Sequence, residues 1–463
     1  MRPYPLIAAL ALIAATATAA PAHKAKAPAK AGGHAELHAI AADVSPAQLH
    51  ATIQKLVGFG TRHTASDTTS DTRGIGAARR WVKSRFEAIG RDCGGCLQVE
   101  TPSQVFNDGK RLPRPTEVMD VLAIQRGTGD PNRVVVIAGH LDSRVTDAMN
   151  ATADAPGAND DGSGTAAVME AARVLSKHRF KATIVYAVLS GEEQGLYGGK
   201  VLADYAKAKG WEVEADLNND IVGNSHGFNG VHDDRHVRIF SEGTKAVETP
   251  EQANRRRYNG GEVDSPARNL GRFMDRLADQ YVTGLDAVMV YRTDRYGRGG
   301  DQVPMLEAGF PAVRVTEAVE NYNRQHQDLR TEKGIKYGDL IEGVDFPYLA
   351  KVTRLDAVTL AALASAPPPP RDVKIEGAVS DDTKVSWAAS PGAARYRVWW
   401  RSTTEPQWTH SRDAGAATSI VLKDVVIDDW FFGVSAISAD GHESPVEFPG
   451  PAGSFVSETP KAK

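Results

Sequence analysis

The sequence predicts an α/β fold, with a central sheet covered by helices on both faces, followed by a small C-terminal all-β sandwich. Three observations carry this. Continuous apolar runs such as Val134-Val135-Val136-Ile137 suit strands buried on both faces. Such runs alternate with stretches of helical period. After the run Pro367 to Pro370 the pattern changes to short alternating strands between turn signals, with no helical stretch.

The 463 residues suggest two or three folded units. A hydrophobic fraction of 41% and a charged fraction of 24% belong to a soluble globular chain. The net charge of -4 gives no sign of a nucleic-acid-binding surface. Residues 1–22 read as a signal peptide: Arg2 is the positive start, Leu6 to Ala15 the apolar core, and small residues follow, with cleavage after Ala17, Ala19 or Ala22. That core is too short for a membrane span, and no other apolar run approaches the roughly 20 residues required. A secreted or periplasmic protein is expected.

Residues 23–44, rich in Ala, Lys, Pro and His, read as a disordered tether in which His23, His34 and His38 are incidental. Folding is expected to begin at Ser45, a helix cap, with Pro46 in the first turn and Gln48 completing a capping box. Leu49, Ile53, Leu56 and Val57 form the stripe of that helix. A second helix carries Ile75, Ala78, Val82, Phe86 and Ile89 and is expected to end at Gly90. The only cysteines, Cys93 and Cys96, lie in the turn that follows; with no second CxxC to complete a zinc site, a tight disulfide is expected.

Strands are read near 118–124, 133–138, 182–189, 213–217, 287–291 and 311–316, and helices near 163–177, 196–208, 266–282 and 336–364. The run Arg255-Arg256-Arg257 reads as a solvated loop. The domains are therefore 45–366, a proline linker at 367–371, and a sandwich at 372–455, whose Val-Ser-Trp387, Tyr396-Arg-Val-Trp and Ala-Asp-Gly441-His-Glu-Ser444 stretches resemble a fibronectin type III domain.

Five clusters stand where strands run out: Gly-His140-Leu-Asp142-Ser, Asn-Asp160-Asp161-Gly-Ser-Gly, Ser-Gly-Glu192-Glu193-Gln-Gly, Asn-Asn-Asp220 and Gln-His326-Gln-Asp328. Ligands of open α/β folds gather at the carboxyl edge of the sheet. Three carboxylates with two imidazoles suit a pair of zinc ions, and one more carboxylate is left to serve as a base. Asp161 or Ser163 can cap the helix that follows, and adjacent Glu192 and Glu193 diverge in direction, so one can bind metal while the other addresses water.

This series, with Pro-Gly-Ala-Asn-Asp160-Asp161-Gly-Ser-Gly and Asn-Asn-Asp220-Ile-Val-Gly as its most specific members, resembles the M28 family of zinc peptidases, the aminopeptidase Y/S type, over residues 45–365. The resemblance implies a mixed central sheet of the zinc exopeptidase (phosphorylase/hydrolase-like) kind and two Zn2+ per chain. It implies that Asp160 bridges the metals, that Glu193 and His326 complete one site and His140 and Asp220 the other. Glu192 would be the general base, Asp142 would support His140, and the Asp160–Asp161 peptide would be cis. Peptides would be the substrates. Asp301, in Gly299-Gly300-Asp301-Gln302, falls in a segment resembling one near the family's site. Where the family often places an oxyanion-stabilising Tyr, this chain has Gln325, with Tyr322 nearby as an alternative donor.

The expected activity is release of N-terminal residues from peptides. Relatives of this kind also include carboxypeptidases and glutaminyl cyclases; a terminal carboxylate would need an arginine, for which Arg292, Arg295 and Arg298 are candidates. A non-catalytic peptide-binding protein is a third reading. The 223–262 segment, with Asn224, His226 and His232, either walls the pocket or decorates the surface.

Overall fold

Apolar runs become strands here because helices cover both of their faces. The computed structural model describes residues 33–449. In chain order, helices α1 (Ala35–Asp43), α2 (Pro46–Val57) and α3 (Gly74–Asp92) precede strands β1 (Leu97–Glu100), β2 (Ser103–Phe106), β3 (Thr116–Met119), β4 (Val121–Gln125) and β5 (Arg133–His140). Helix α4 (Gly162–Leu175), strand β6 (Thr183–Leu189), helix α5 (Tyr197–Lys209) and strand β7 (Glu212–Asn219) follow. Next come β8 (His236–Phe240), α6 (Pro250–Asn259), α7 (Pro266–Tyr281), β9 (Asp286–Val290), α8 (Gln302–Glu307), β10 (Ala312–Glu317), the hairpin β11 (Arg330–Glu332) and β12 (Ile335–Tyr337), and α9 (Phe346–Ser365).

The main sheet has the order β1-β4-β6-β5-β7-β10-β8-β9. Strands β6, β5, β7 and β10 are mutually parallel, while β4 and β8 run antiparallel to their inner neighbours, so the sheet is mixed. Alternation along β5 sends Val135 and Ile137 into one core and Val134, Val136 and Ala138 into the other. The chain leaves β5 for β6 on one side and then crosses to β7 on the other. The carboxyl ends of β5 and β7 therefore flank a switch point. A Cβ on Gly139 would lie 2.6 Å from the Gly164 carbonyl carbon, so glycine here lets the first turn of α4 close on the end of β5.

The C-terminal part comprises β13 (Lys374–Glu376), β14 (Thr383–Ser386), β15 (Arg395–Ser402), β16 (His410–Gly415), β17 (Ser419–Leu422) and β18 (Trp430–Ile437). They form two antiparallel three-stranded sheets, β13-β14-β17 and β16-β15-β18. Val385 and Leu422 of one share a core with Val398, Phe432 and Val434 of the other.

The structure bears out some expectations and corrects several, and others lie outside the described residues. The signal peptide lies outside the described residues, as do residues 23–32 of the expected tether and 450–455 of the sandwich. Residues from Ala35 on are not a tether but a helix, whose Leu37, Ile40 and Ala41 are buried in the main core. His34 is engaged too: its ring stacks on His442 at 4.0 Å, and its N–H donates to the Tyr281 hydroxyl. Ser45 Oγ does accept from the Gln48 N–H, but the reciprocal partner is Glu170, which takes the Ser45 N–H at 2.7 Å. Helix α3 runs past Gly90 to Asp92, and the 118–124 strand breaks at Asp120 into β3 and β4. The arginine run lies on helix α6, started by a Thr249–Gln252 capping box, and Arg256 pairs with Glu248. The last helix begins only at Phe346, capped by Asp345. Cys93 and Cys96 form a disulfide with Cα atoms 5.6 Å apart.

The sandwich is held to the main body by charge. Asp264, just before α7, is fully buried and accepts from Arg272 of α7 at 2.8 Å and from Arg401 of β15 at 2.7 Å. Arg272 Nε also donates to the Pro406 carbonyl, and Trp408 Nε1 to Asn269 Oδ1. Removing Asp264 strands two guanidinium groups away from water. Asp264→Ala is expected to cost about 3–5 kcal/mol, read as a fall in urea midpoint; an unchanged midpoint would show that the contact carries no stability.

Candidate metal centre

The parallel strands end side by side, and the five clusters sit at that edge. His140 is the last residue of β5, Glu192 and Glu193 follow β6, Asp220 follows β7, and Asp160 immediately precedes the first turn of α4. His326 arrives from the loop after β10 in a left-handed conformation, φ 52°. Two groups of donor atoms result, His140 with Glu192 and Asp220, and Asp160 with Glu193 and His326, the atoms of each group lying within 4.8 Å of one another.

Asp160 joins the groups. Its Oδ1 is 3.4 Å from His140 Nε2 and its Oδ2 is 3.0 Å from His326 Nε2. The other two carboxylates each turn one oxygen outward to an arginine and one inward. Asp220 Oδ2 meets Arg314 Nη1 at 2.7 Å, leaving Oδ1 3.8 Å from His140 Nε2. Glu193 Oε2 meets Arg144 Nε at 2.7 Å, leaving Oε1 2.9 Å from His326 Nε2. Among the described residues, no hydrogen bond of good geometry reaches His140 Nε2 or Glu193 Oε1, both of them buried. Orphaned polar atoms that face carboxylates and an imidazole fit a pair of divalent cations, and the nitrogen-and-oxygen donor set suits zinc. The second nitrogen of His140 is committed: Nδ1–H donates to the Asp142 carbonyl at 3.0 Å, which aims Nε2 at the carboxylates, where a metal would take the place of its proton. His326 differs. Its Nδ1 faces Arg144 Nη2 at 2.6 Å, and a guanidinium only donates, so Nε2 carries the ring proton and would be open to a metal only with that contact given up.

The electrostatics follow from this crowding. Burial resists charging of His140, but Asp142 and Asp160 overcome it and hold the imidazole well above its ordinary pKa. Burial likewise resists ionisation of Asp220, yet Arg314 and His140 hold its carboxyl below the usual range. Glu192 is half-buried at the cleft, and desolvation pushes its carboxyl well above the ordinary value against the pull of His140.

Asp142 does more than face His140. Its carboxylate accepts from the Thr64 hydroxyl and from the backbone N–H groups of Glu192 and Glu193, so it fixes the turn that presents both glutamates. Asp161 caps α4 through the Gly164 N–H and also accepts from the N–H groups of His140 and Ile221, tying three of the clusters together. The peptide between Asp160 and Asp161 is cis.

Two expected residues lie elsewhere. Asp301 is buried beneath the site, where Oδ1 accepts from the Gly199 N–H; it does not line the cleft, and burial pushes its carboxyl up to about 7. Tyr322 is 52% exposed and packs on Phe228, outside the cleft lining. Gln325 donates to Glu320. Of the three arginine candidates, Arg295 and Arg298 line the cleft and Arg292 does not. His226 and His232 stack on each other at 4.2 Å, outside the cleft lining.

Sequence reasoning missed the supports. Arg62 is wholly buried and donates to the carbonyls of Leu141, Pro156 and Gly157, holding the loop that leads to Asp160; desolvation lowers its pKa to about 10. Asp339 accepts the backbone N–H of Asp160 at 2.7 Å. Arg314, inside the apolar run of β10, was the one with a visible signal, since a charge in a buried strand needs a partner.

The chain belongs to peptidase family M28. The model of that family matches residues 120–341. A probable zinc metalloprotease of Leptosphaeria maculans is 46% identical over 419 residues, covering 90% of this chain and 97% of that protein. A probable zinc metalloprotease of Pyricularia oryzae is 44% identical over 429 residues, 90% of this chain and 85% of that protein. Among solved structures, the LapA aminopeptidase of Legionella pneumophila superposes with a TM-score of 0.52 at 20% identity, covering 74% of this chain and 78% of that one. That likeness is one of fold.

Replacing Asp142 with Asn takes away the charged acceptor of the Glu192 and Glu193 N–H groups. Metal affinity is expected to weaken by about 10–100-fold, read by competition with a chromogenic chelator; wild-type affinity would show that Asp142 does not organise the ligands.

Proposed function

We propose that the chain is a dizinc exopeptidase that releases N-terminal residues from peptides. One observation carries the reading: the two oxygens of Asp160 point to two different imidazoles, each backed by a second carboxylate. His140, Asp160 and Asp220 would hold one zinc, and Asp160, Glu193 and His326 the other. When bound, the pair supplies Lewis-acid polarisation of a carbonyl and lowers the pKa of water.

The protein's own groups do the rest. Glu192 shares the cleft with both metal groups, and one of its carboxylate oxygens lies within 4.8 Å of the His140 and Asp220 donor atoms. It is therefore suited to take a proton from the attacking water and return it to the leaving amine. Arg314 and Arg144 fix the outer oxygens of Asp220 and Glu193, so the inner oxygens keep their direction while charge moves.

The names of the curated relatives, as zinc metalloproteases, support zinc as the metal. Export through residues 1–22 is part of this reading, and the Cys93–Cys96 disulfide supports an oxidising compartment. We read the C-terminal sheets as a fibronectin type III-like module.

The test is a panel of aminoacyl-amide substrates, with and without chelator and restored zinc, run on wild type and Glu192→Gln. Expected are N-terminal release, loss with chelator, recovery with zinc, and a variant that keeps its metal while kcat falls about 10²–10⁴-fold. Release of C-terminal residues, or cyclisation of N-terminal glutaminyl peptides, would assign the site to another reaction.

A further inference from the structure

The cleft wall is unusual for a site crowded with carboxylates. Four guanidinium groups line it, from Arg111, Arg144, Arg295 and Arg298, against the four carboxylates already described. Resting on the reading above, the two divalent cations neutralise those carboxylates. The wall is then left with a formal excess of positive charge.

Two of the arginines are committed. Arg144 is bound to Glu193 and His326. Arg295 is buried to 9% exposure among Asp294, Glu320 and Asp220. Arg298 and Arg111 are not held in this way. Arg298 is 34% exposed and reaches Glu320 only at 3.4 Å and Gln325 at 3.5 Å, both through Nη1. Glu320 is itself shared with Arg238, at 2.7 Å, and with Arg295, so one carboxylate serves three guanidinium groups. Arg111 is exposed and donates through Nη1 to the Glu193 carbonyl; among the described residues no carboxylate pairs with it. A guanidinium carries five N–H donors in a fork matched to a carboxylate, and most of the donors on these two are unspent. Solvated arginines on an open surface would need no explanation. These two stand on the wall of the cleft that holds Glu192.

We infer that the cleft selects peptides carrying a carboxylate close to the scissile bond, received by Arg298 and Arg111. That carboxylate is either the free C-terminus of a very short peptide or an acidic side chain. The zinc-loaded enzyme would therefore be a peptidase of short or acidic peptides, not a general trimmer of neutral N-termini.

The experiment compares matched pairs on the zinc-loaded full chain. Leu-Ala against Leu-Ala-amide reads a C-terminal carboxylate, and Leu-Asp-amide against Leu-Asn-amide reads a side-chain one. The charged member of at least one pair should show a KM about tenfold lower or more, with kcat little changed, and the responding pair identifies the source. Arg298→Ala and Arg111→Ala should each shrink that difference, and Arg298→Lys should restore part of it. Calorimetric titration of Glu192→Gln with the same pairs reads the preference without turnover. Equal KM within both pairs, or a preference that survives in the Arg111→Ala, Arg298→Ala double variant, overturns the inference and leaves the peptidase reading intact. No hydrolysis of any of the four peptides overturns both.

Discussion

The structure depends on holding acidic groups together in a place where water cannot screen them. Asp160, Glu193 and Asp220 converge at the carboxyl edge of the sheet, and burial opposes charge on Asp160 and Asp220. Two devices offset the repulsion and a third fixes the ligands in place. Imidazoles face the inner oxygens, arginines take the outer oxygens of Asp220 and Glu193, and backbone N–H groups are tied down by Asp142, Asp161 and Asp339. The last device fixes position rather than charge. A site built to hold cations must keep its ligands aimed before the cations arrive, and hydrogen bonds to the main chain do this at a low entropy cost.

Much of this was legible because each cluster is local in sequence to the strand that delivers it. Val134 to Ala138 is strand by composition, so His140 had to emerge at its end, and the same holds for Glu192, Glu193 and Asp220. Asp160 and Asp161 were legible through the Gly-Ser-Gly that opens a helix. The supports were not legible, because each depends on register or on loop paths. Arg314 meets Asp220 only because β10 pairs with β7 in a particular register, and Asp339 reaches Asp160 across 179 residues of chain. Tyr322 was misplaced for a related reason: the path of the loop that turns its ring onto Phe228 is not written in the local sequence. Helix α1 was hidden by composition, since its apolar stripe of Leu37, Ile40 and Ala41 is diluted by alanine.

The C-terminal sandwich is bound more firmly than a spacer needs to be. Asp264 meets an arginine from each side of the junction, Arg272 from α7 and Arg401 from β15. The N-terminal segment joins the same corner, where His34 stacks on His442 and bonds Tyr281. Buried ion pairs add little net stability compared with apolar packing, but they reject alternative arrangements, because any other pose leaves a charge unpaired. Helix α7 packs in turn on β9 and β10, and β10 carries Arg314. The sandwich thus braces the side of the sheet that steadies Asp220.

The central claim is that Asp160 serves both metal positions at once, and zinc titration of the stripped protein tests it most directly. Wild type should bind two zinc ions per chain, His326→Ala should lose the one beside Glu193 and keep the other, and Asp160→Ala should weaken both together. An Asp160→Ala protein that still binds one zinc at wild-type affinity would contradict the account.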